Sequence, residues 1–460
     1  MKIERIYTKS NILDKNMEVN MENQITLDQI RNFSKVYNQD KTNKIIENAI
    51  TNNGIEKACI NRNIIIENQP IFNIELPESK RYNQQDSWRC WIYGGLNFIK
   101  HNIAKNLNID VKDLELSNNY IAFFDKLEKS NTLYENIINL ENTDFEFMHK
   151  ENIFHYAVSE VGYWEFFAGL INKYGILPYS YMPNAVESAN YQKIEYIYTE
   201  KVKKDVLELI KLRENGAISG VLREYKNKFL QENYTLLAKI LGEPQEKFKF
   251  EYKDKNGEYK IFNNITPMEF KNKFLSIKLE DFVTIGNTPM YCREFNKVYK
   301  KKYVGSVYEN STVQYLNLPI EDLKMLSIKQ LKDGLPVYMG AHIRKFRDTK
   351  SGILDNRLYN YEDTLDFKRL SKEEALNLYD IRAHHVMVFT GVNLIDDKPQ
   401  RWKVEDSYGD KEKVNGYYIM NDNFFNDFVL SVIIDKKYLS EEQQNLLNQE
   451  PIEFEVADPI

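Results

Sequence analysis

The sequence predicts an α+β fold in which helices fill the first half of the chain and strands the second. Segments such as SNNYIAFFDKLEKSNTLYENIINL (117–140) and VGYWEFFAGLINKYG (161–175) carry apolar residues every three or four positions, which is the period of an α-helix. After residue 245 the pattern changes to an alternation of apolar and polar residues. Helices followed by strands favour a helical layer packed on a mostly antiparallel sheet.

The first quarter of the chain divides into three patterns. Residues 1–30 are polar with scattered apolar positions, which predicts a flexible leader. A helical period follows over residues 31–51. Residues 63–77 are predicted to be extended, because Pro70 and Pro77 interrupt any helix.

A helix is predicted to begin at Cys90, because apolar residues recur at spacings of three and four through CWIYGGLNFIKHNIAKNL (90–107). Gly94 and Gly95 lie inside it, and each costs about 1 kcal/mol relative to alanine. Another part of the chain is therefore expected to pack closely against them. Further along, residues 197–241 predict two long charged helices.

The second half of the chain carries the strand signals. The stretch FKFEYKDKNGEYKIF (248–262) alternates around Asn256-Gly257, which is typical of a β-hairpin. Strand-like runs then follow in the last 130 residues: LPVYMGAHI, HHVMVFTGVNLI, RWKVEDSYG, GYYIMND and FVLSVIID.

Composition excludes several classes of protein. The 460-residue chain has a net charge of −6, which argues against non-specific nucleic-acid binding. No stretch approaches the roughly 18 apolar residues of a membrane span or forms the apolar core of a signal peptide. The cysteines, Cys59, Cys90 and Cys292, show no CxxC pairing, which favours a reduced, cytoplasmic protein. P-loop, GxGxxG, HExxH and GxSxG motifs and metal-ligating clusters do not occur in the sequence, so no cofactor or metal is expected.

The segment NQQDSWRCWIYGG (83–95) is the strongest candidate for chemistry. A cysteine at the start of a helix lies among backbone N–H groups that favour its thiolate, although a lone cysteine is more often structural. Gln84 adds a side-chain amide that, with the Cys90 N–H, is able to form an oxyanion hole. A nucleophile also needs a base, and His384 and His385 open a predicted strand on opposite faces. If the next strand pairs with it as a hairpin, Asp406 lies beside the histidine strand.

These segments resemble those of papain-like cysteine peptidases, and more specifically the bleomycin hydrolase/aminopeptidase C family. The family's cysteine segment typically reads Asn-Gln-x-x-Ser-Gly-Arg-Cys-Trp, and here it reads NQQDSWRCW. The family's histidine segment reads His-Ala-Met-x-Phe-Thr, and here it reads HVMVFT. The last motif, Trp-Arg-Val-Glu-Asn-Ser-Trp-Gly, corresponds to WKVEDSYG. The likeness runs from roughly residue 30 to the end.

The resemblance implies a papain-like core, made of a helical half and an antiparallel sheet half, with large helical insertions. Residues 31–460 would form a single peptidase unit, with a helical insertion at roughly 195–245 and a C-terminal arm over 450–460 near the cleft. Family members are usually homohexamers with an internal chamber. They act on peptide substrates by removing residues from unblocked N-termini.

The resemblance also implies a role for each matching residue. Cys90 matches the nucleophile, His385 rather than His384 matches the general base, and Gln84 matches the oxyanion-hole side chain. Asp406 stands where the family has an asparagine that orients the histidine. A carboxylate there still accepts the ring N–H and stabilises the imidazolium more than an amide does.

Other positions depart from the family's pattern around the cleft. Trp88 replaces a glycine, so it is strained if that residue has a positive φ, and otherwise it narrows or covers the subsite beside the nucleophile. Val161 replaces the first of two glycines that let the substrate backbone approach, and Gly162 is the second. Tyr408 replaces a tryptophan that shields the histidine.

The C-terminal arm is the last departure. In the family it lies in the cleft, where its end meets the substrate's α-amine. Here the sequence reads Ala457-Asp458-Pro459-Ile460, several residues shorter, so Ile460 is predicted to lie up to about 13 Å further back if the arm is extended. Asp458 is a candidate to supply the negative charge instead.

Two classes of function follow. The leading hypothesis is a cytosolic cysteine aminopeptidase that works through a Cys-His-Asp site and a thioester. The retracted arm leaves endopeptidase action open, and a transpeptidase would share the same first half-reaction. The alternative class is a catalytically impaired scaffold or peptide-binding protein, which the substitutions at Trp88, Val161 and Tyr408 motivate.

Overall fold

The structure, a computed structural model, describes residues 23–141, 143–151, 153–154, 158–309, 312–409, 417–454 and 459–460. Its helices are α1 (Leu27–Gln39), α2 (Lys41–Asn53), α3 (Ile55–Cys59), α4 (Arg62–Glu67), α5 (Cys90–Leu107), α6 (Asn118–Asn139), α7 (Phe145–Lys150), α8 (Trp164–Tyr174), α9 (Tyr191–Glu214), α10 (Ser219–Leu241), α11 (Pro267–Phe274), α12 (Ile320–Lys332), α13 (Tyr361–Leu365), α14 (Lys372–Asn377), α15 (Asp422–Phe428) and α16 (Glu441–Leu446). Its strands are β1 (Ile74–Glu75), β2 (Phe248–Lys253), β3 (Tyr259–Ile265), β4 (Phe282–Gly286), β5 (Lys297–Lys301), β6 (Gln314–Asn317), β7 (Val337–Ala341), β8 (Arg347–Asp348), β9 (Ile353–Leu354), β10 (His385–Ile395), β11 (Lys398–Glu405), β12 (Tyr417–Asn421), β13 (Val429–Asp435) and β14 (Ile452–Phe454).

The described chain forms two compact units. The small unit includes residues 23–61 and 359–368, and the large unit includes residues 62–358 and 369–460. In the small unit the predicted helical stretch divides into α1 and α2. Asp40 causes the division, because its extended backbone ends α1 while its carboxylate accepts a 2.8 Å hydrogen bond from the Thr42 N–H and caps α2.

The large unit confirms the α+β class. Its first half contains the helices α5 to α10, and its second half contains a sheet with the order β14-β5-β6-β4-β13-β7-β10-β11-β12-β9-β8, with β1 also paired to β10. The central pairs, from β4–β13 to β11–β12, are antiparallel. A separate hairpin, β2–β3, turns at Gly257, whose φ of 81° requires a glycine-like backbone.

Some predicted boundaries differ from the observed ones. Residues 63–77 were expected to be extended, but α4 occupies the start of that range and β1 only two residues near its end. The reason is that a proline disrupts a helix at its own turn and at the residue before it, so Pro70 leaves residues up to 67 free to be helical. The two charged helices predicted over 197–241 are present as α9 and α10.

The predicted division into a leader (1–30) and one peptidase unit (31–460) stays a prediction. Residues 1–22 lie outside the described residues, and α1 begins within the predicted leader. In the predicted arm, β14 occupies 452–454 and pairs in parallel with β5, whereas residues 455–458, including Asp458, lie outside the described residues.

Close packing of α5 on the sheet positions the candidate site. A Cβ atom built on Gly94 would lie 2.5 Å from Cγ1 of Val386 in β10, and one built on Gly95 would lie 2.5 Å from the Phe167 ring in α8. At such distances a side chain at either glycine would force Val386 or Phe167 to shift. The glycine pair therefore lets α5 approach the strand in which Val386 directly follows His385.

Candidate active site

Cys90 is the first residue of α5, and its side chain is half-buried. The first N–H groups of a helix have no acceptor within the helix, so the sulfur lies at the positive end of the helix dipole. The following turn is held by the Arg89 carbonyl, which accepts from the Ile92 N–H at 2.9 Å and from the Tyr93 N–H at 3.1 Å.

His385 and Asp406 meet as the hairpin prediction required. β10 and β11 pair in antiparallel fashion, with Val388 opposite Glu405, so the start of one strand adjoins the end of the other. Nε2 of His385 lies 2.7 Å from Oδ1 of Asp406, and both side chains are buried. The Cys90 side chain is a further hydrogen-bond partner of His385.

The charge state of His385 follows from these contacts. Burial by itself lowers the pKa of the imidazole, but the negative charge and hydrogen bond of Asp406, together with Cys90, outweigh it. The net effect raises the pKa of His385 to about 9. At neutral pH the ring is therefore an imidazolium, with one N–H donated to Asp406 and a positive charge beside the Cys90 sulfur.

His384 lies on the other face of the chain, as alternation predicts. Its ring centroid is 4.7 Å from that of His342, in an edge-to-face arrangement. Burial and the neighbouring His342 lower the pKa of His384 to about 3, so this ring is neutral at physiological pH. Only His385 of the two has the protonation and the partners of a catalytic histidine.

Gln84 is fixed by the segment that follows Asp406. Its N–H donates to the Ser407 carbonyl at 2.6 Å, and Ser407 Oγ donates to Gln84 Oε1 at 3.0 Å. The Tyr408 side chain is another hydrogen-bond partner. Because the amide oxygen accepts from Ser407, the opposite end of the amide is its NH₂ group, which is the donor an oxyanion requires.

Tyr408 occupies the shielding position that the resemblance assigns to a tryptophan. Its ring stacks on His385 with 5.4 Å between centroids and an interplanar angle of 17°. The ring therefore covers one face of the imidazole. This contact limits the access of water to the His385–Asp406 pair, which strengthens their electrostatic interaction.

Gly162 is required by its surroundings. A Cβ atom there would lie 2.2 Å from the Trp91 ring, whose Nε1–H donates to the Glu160 carbonyl at 2.7 Å. The preceding Val161 keeps 37% of its surface exposed, and its carbonyl accepts from Lys129 Nζ at 2.7 Å. The valine is therefore accommodated without displacing the glycine beside it.

Trp88 has the positive φ for which the sequence analysis expected strain. Its φ is 58°, in the left-handed region, and 53% of its surface is exposed. The indole stacks on Tyr191 with 4.5 Å between ring centroids. A left-handed backbone costs an L-residue of this size about 1–2 kcal/mol.

Ile460 lies beside the sheet half. Its main-chain oxygen accepts a hydrogen bond from the buried Lys301, whose Nζ also donates to the Tyr163 hydroxyl at 2.9 Å. The preceding Pro459 carbonyl accepts from the Ala383 N–H at 2.6 Å. Because Ala383 precedes His385 by two residues, these last residues adjoin the histidine strand.

A buried charge network beside the start of α5 was missed by sequence reasoning. The Glu160 carboxylate forms ion pairs with Arg89 Nε and with Lys126 Nζ, each at 3.0 Å. All three side chains are buried. Although burial raises the pKa of Glu160, the two cations lower it to about 2. Lys126 lies two residues after the apolar run YIAFF (120–124), but the charged residues around it gave no signal that it is buried.

Among the residues that the structure describes, no group of three or more histidine, cysteine, aspartate or glutamate side chains could hold a metal ion. Within the described ranges, no helix is long and apolar enough to cross a membrane.

Comparisons with known proteins agree with this geometry. The model of the peptidase C1-like family matches residues 24–460. Aminopeptidase C of Listeria monocytogenes is 33% identical over 442 residues, covering 96% of this chain and 99% of the relative. Aminopeptidase G of Lactobacillus delbrueckii subsp. lactis is 32% identical over 441 residues, covering 96% and 100%. The crystal structure of PepW from Lactobacillus rhamnosis superimposes with a TM-score of 0.90 at 34% identity, covering 95% and 98%.

Thiol labelling tests the Cys90–His385 pair within one chain. We expect limiting iodoacetamide at pH 7 to alkylate Cys90 at least roughly tenfold faster than the more exposed Cys292, because Cys90 lies at a helix start and is a hydrogen-bond partner of His385. His385→Gln should remove this advantage. Peptide mapping by mass spectrometry measures both rates, with Cys292 as the internal control. Equal labelling of the two thiols, or no effect of His385→Gln, would contradict the pairing.

Proposed function

The chain belongs to the peptidase C1-like family, and on that premise we propose that it is a cysteine-type aminopeptidase that removes residues from unblocked peptide N-termini. The observation that carries this proposal is the meeting of Cys90, His385 and Asp406, with Gln84 held beside them. The names of the relatives support an exopeptidase that acts at the N-terminus.

The proposed reaction starts from the thiolate–imidazolium pair. Cys90 Sγ attacks the carbonyl carbon of the scissile bond, and the oxygen takes up the negative charge. The Cys90 N–H and the Gln84 NH₂ group donate to that oxygen. As the tetrahedral intermediate collapses, the C–N bond breaks, His385 gives its proton to the leaving amine, and a thioester remains on Cys90.

Deacylation uses the same residues in reverse. The neutral His385 takes a proton from a water molecule, and the resulting hydroxide attacks the thioester carbonyl. The C–S bond breaks, the thiolate returns to Cys90, and the released product is the acyl residue as a carboxylate. Asp406 holds the ring in one orientation through both steps.

The observed contacts support activity over an impaired scaffold. Tyr408 retains a ring stacked on His385, and Asp406 retains a 2.7 Å contact in place of the family's asparagine. The main-chain contacts of Pro459 and Ile460 beside the histidine strand also support exopeptidase action, because a segment there shortens the space for substrate. The absence of cystine pairing among Cys59, Cys90 and Cys292 supports a cytoplasmic location.

A homo-oligomer, a hexamer by family resemblance, is part of the proposal. Apolar residues recur along α1 at the spacing of one helix face and are exposed: Leu27, Ile30, Phe33 and Val36 are 75%, 50%, 57% and 58% exposed. Such a stripe on a soluble protein is typical of an interaction surface.

The oligomer can be tested by light scattering after gel filtration. We expect the double variant Ile30→Glu/Phe33→Glu to lower the molar mass, because two charges then occupy the apolar face of α1. Asn32→Glu/Lys35→Glu, on polar positions of the same helix, is the matched control and should keep the mass. A wild-type monomer, or a variant that assembles normally, would refute a role of this helix in assembly.

Peptides with free and acetylated N-termini test the proposed reaction. We expect cleavage of the free peptides only, and loss of turnover to the uncatalysed background in Cys90→Ala. Product formation is followed by mass spectrometry, and the circular dichroism spectrum of Cys90→Ala shows whether it is folded. Cleavage of both peptide forms would instead indicate an endopeptidase, and cleavage of neither would favour the scaffold.

The pH dependence of kcat/KM tests the role of Asp406. In the wild type we expect an alkaline limb near pH 9, where His385 loses the proton that the leaving amine needs. Asp406→Asn should move this limb to lower pH, because the carboxylate raises the pKa of His385 against the effect of burial. Asp396→Asn, at the far turn of the β10–β11 hairpin, is the control and should leave it in place. An unmoved limb in Asp406→Asn would show that His385 does not set it.

A further inference from the structure

Trp88 combines properties that a structural role does not explain. Its φ of 58° is unfavourable for a bulky L-residue, yet 53% of the residue's surface is exposed. It lies two residues before Cys90. Backbone strain of this kind persists where the surroundings impose it, and it concentrates at functional sites.

The residues on either side of Trp88 impose this backbone. Ser87 and Arg89 are both fully buried, and Arg89 is held by Glu160 at 3.0 Å. The chain therefore enters the interior twice within three residues. The left-handed turn between these two anchors presents the indole outward in the segment that leads into Cys90.

Tyr191 supports the indole from the side of the helical half. Its N–H donates to the Asp86 carbonyl at 3.2 Å, while the Asp86 N–H donates to the Ala189 carbonyl at 3.1 Å. These main-chain bonds fix the start of α9 against the loop that carries Trp88. The two rings lie 4.5 Å apart with an interplanar angle of 29°, so Tyr191 covers one part of the indole and the exposed part remains accessible.

We propose that Trp88 and Tyr191 form an aromatic wall that selects a flat aromatic side chain on the N-terminal residue of the substrate. This inference rests on the proposed function, since that residue is the acyl group attached to Cys90. The leaving amine must face His385 in the sheet half, so the acyl side chain extends toward the helical half. An aromatic ring there gains binding free energy from offset stacking on the exposed indole. A saturated ring of equal size lacks this stacking interaction.

The test compares two substrates that differ only in aromaticity. Phenylalanyl and cyclohexylalanyl 7-amido-4-methylcoumarins have similar size and apolar character. We expect the wild-type protein to show a kcat/KM roughly 2- to 10-fold higher for phenylalanyl, and this ratio should fall to near one in Trp88→Leu and in Tyr191→Leu. Tyr196→Leu, an exposed tyrosine on the same helix, is the matched control and should keep the ratio.

A second measurement separates this inference from the proposed function. Calorimetry with Cys90→Ala measures the affinities for the tripeptides Phe-Ala-Ala and cyclohexylalanyl-Ala-Ala, which requires no turnover. If Cys90→Ala binds the phenylalanyl peptide more tightly but the wild type cleaves neither substrate, the hydrolytic function is overturned and the aromatic wall is supported. Cleavage with equal kcat/KM for both substrates, or a ratio unchanged in Trp88→Leu, would contradict the aromatic wall and leave the proposed function standing.

A further variant, Trp88→Gly, controls for misfolding caused by substitution at position 88. Trp88→Gly removes the ring and relieves the positive φ, so it should fold with an undiminished melting temperature. Loss of the phenylalanyl preference in this variant supports the wall, and a preference retained there overturns it.

Discussion

The close approach of α5 to β10 is the constraint on which the candidate site depends. Cys90 belongs to a helix and His385 to a strand, and their side chains meet only if the two backbones come within the distance that a glycine allows. At Gly94 a single added carbon would lie 2.5 Å from Val386, the neighbour of His385. The nucleophile and the base are therefore coupled through the packing of the α5 backbone on the Val386 side chain. The loop with Gln84 and Trp88 leads directly into the start of the same helix.

Buried ion pairs hold this arrangement from two further directions. Lys100, on α5, lies 3.0 Å from Glu405 at the end of β11, the residue before Asp406. Arg89 and Glu160 connect the start of α5 to the segment that carries Gly162. Removing one partner of such a pair leaves an uncompensated buried charge, which typically costs about 3–5 kcal/mol. Both pairs therefore oppose displacement of α5 from the end of β11 and from the segment that carries Gly162.

The sequence was informative where local pattern determines position. A hairpin of HHVMVFTGVNLI with RWKVEDSYG is enough to place His385 beside Asp406, and two adjacent glycines in a helix are enough to predict a close neighbour. It was not informative where position depends on distant partners. Arg89 and Lys126 are residue types usually found on surfaces, and only the folded chain brings Glu160 to them. The sequence also does not reveal the backbone φ of a tryptophan. The strain at Trp88 was therefore one of two alternatives that the sequence left open.

A carboxylate at position 406 has opposite effects on the two halves of the proposed reaction. Acylation needs the imidazolium, which Asp406 stabilises, whereas deacylation needs the neutral ring to accept a proton from water. Cys90 also contributes to the raised pKa of His385, and this contribution ends once the sulfur is a neutral thioester. Formation of the acyl-enzyme therefore shifts His385 toward the basic form that the next step requires, while Asp406 continues to oppose that shift. A carboxylate in place of an amide thus favours the protonated ring that acylation uses and opposes the neutral ring that deacylation uses.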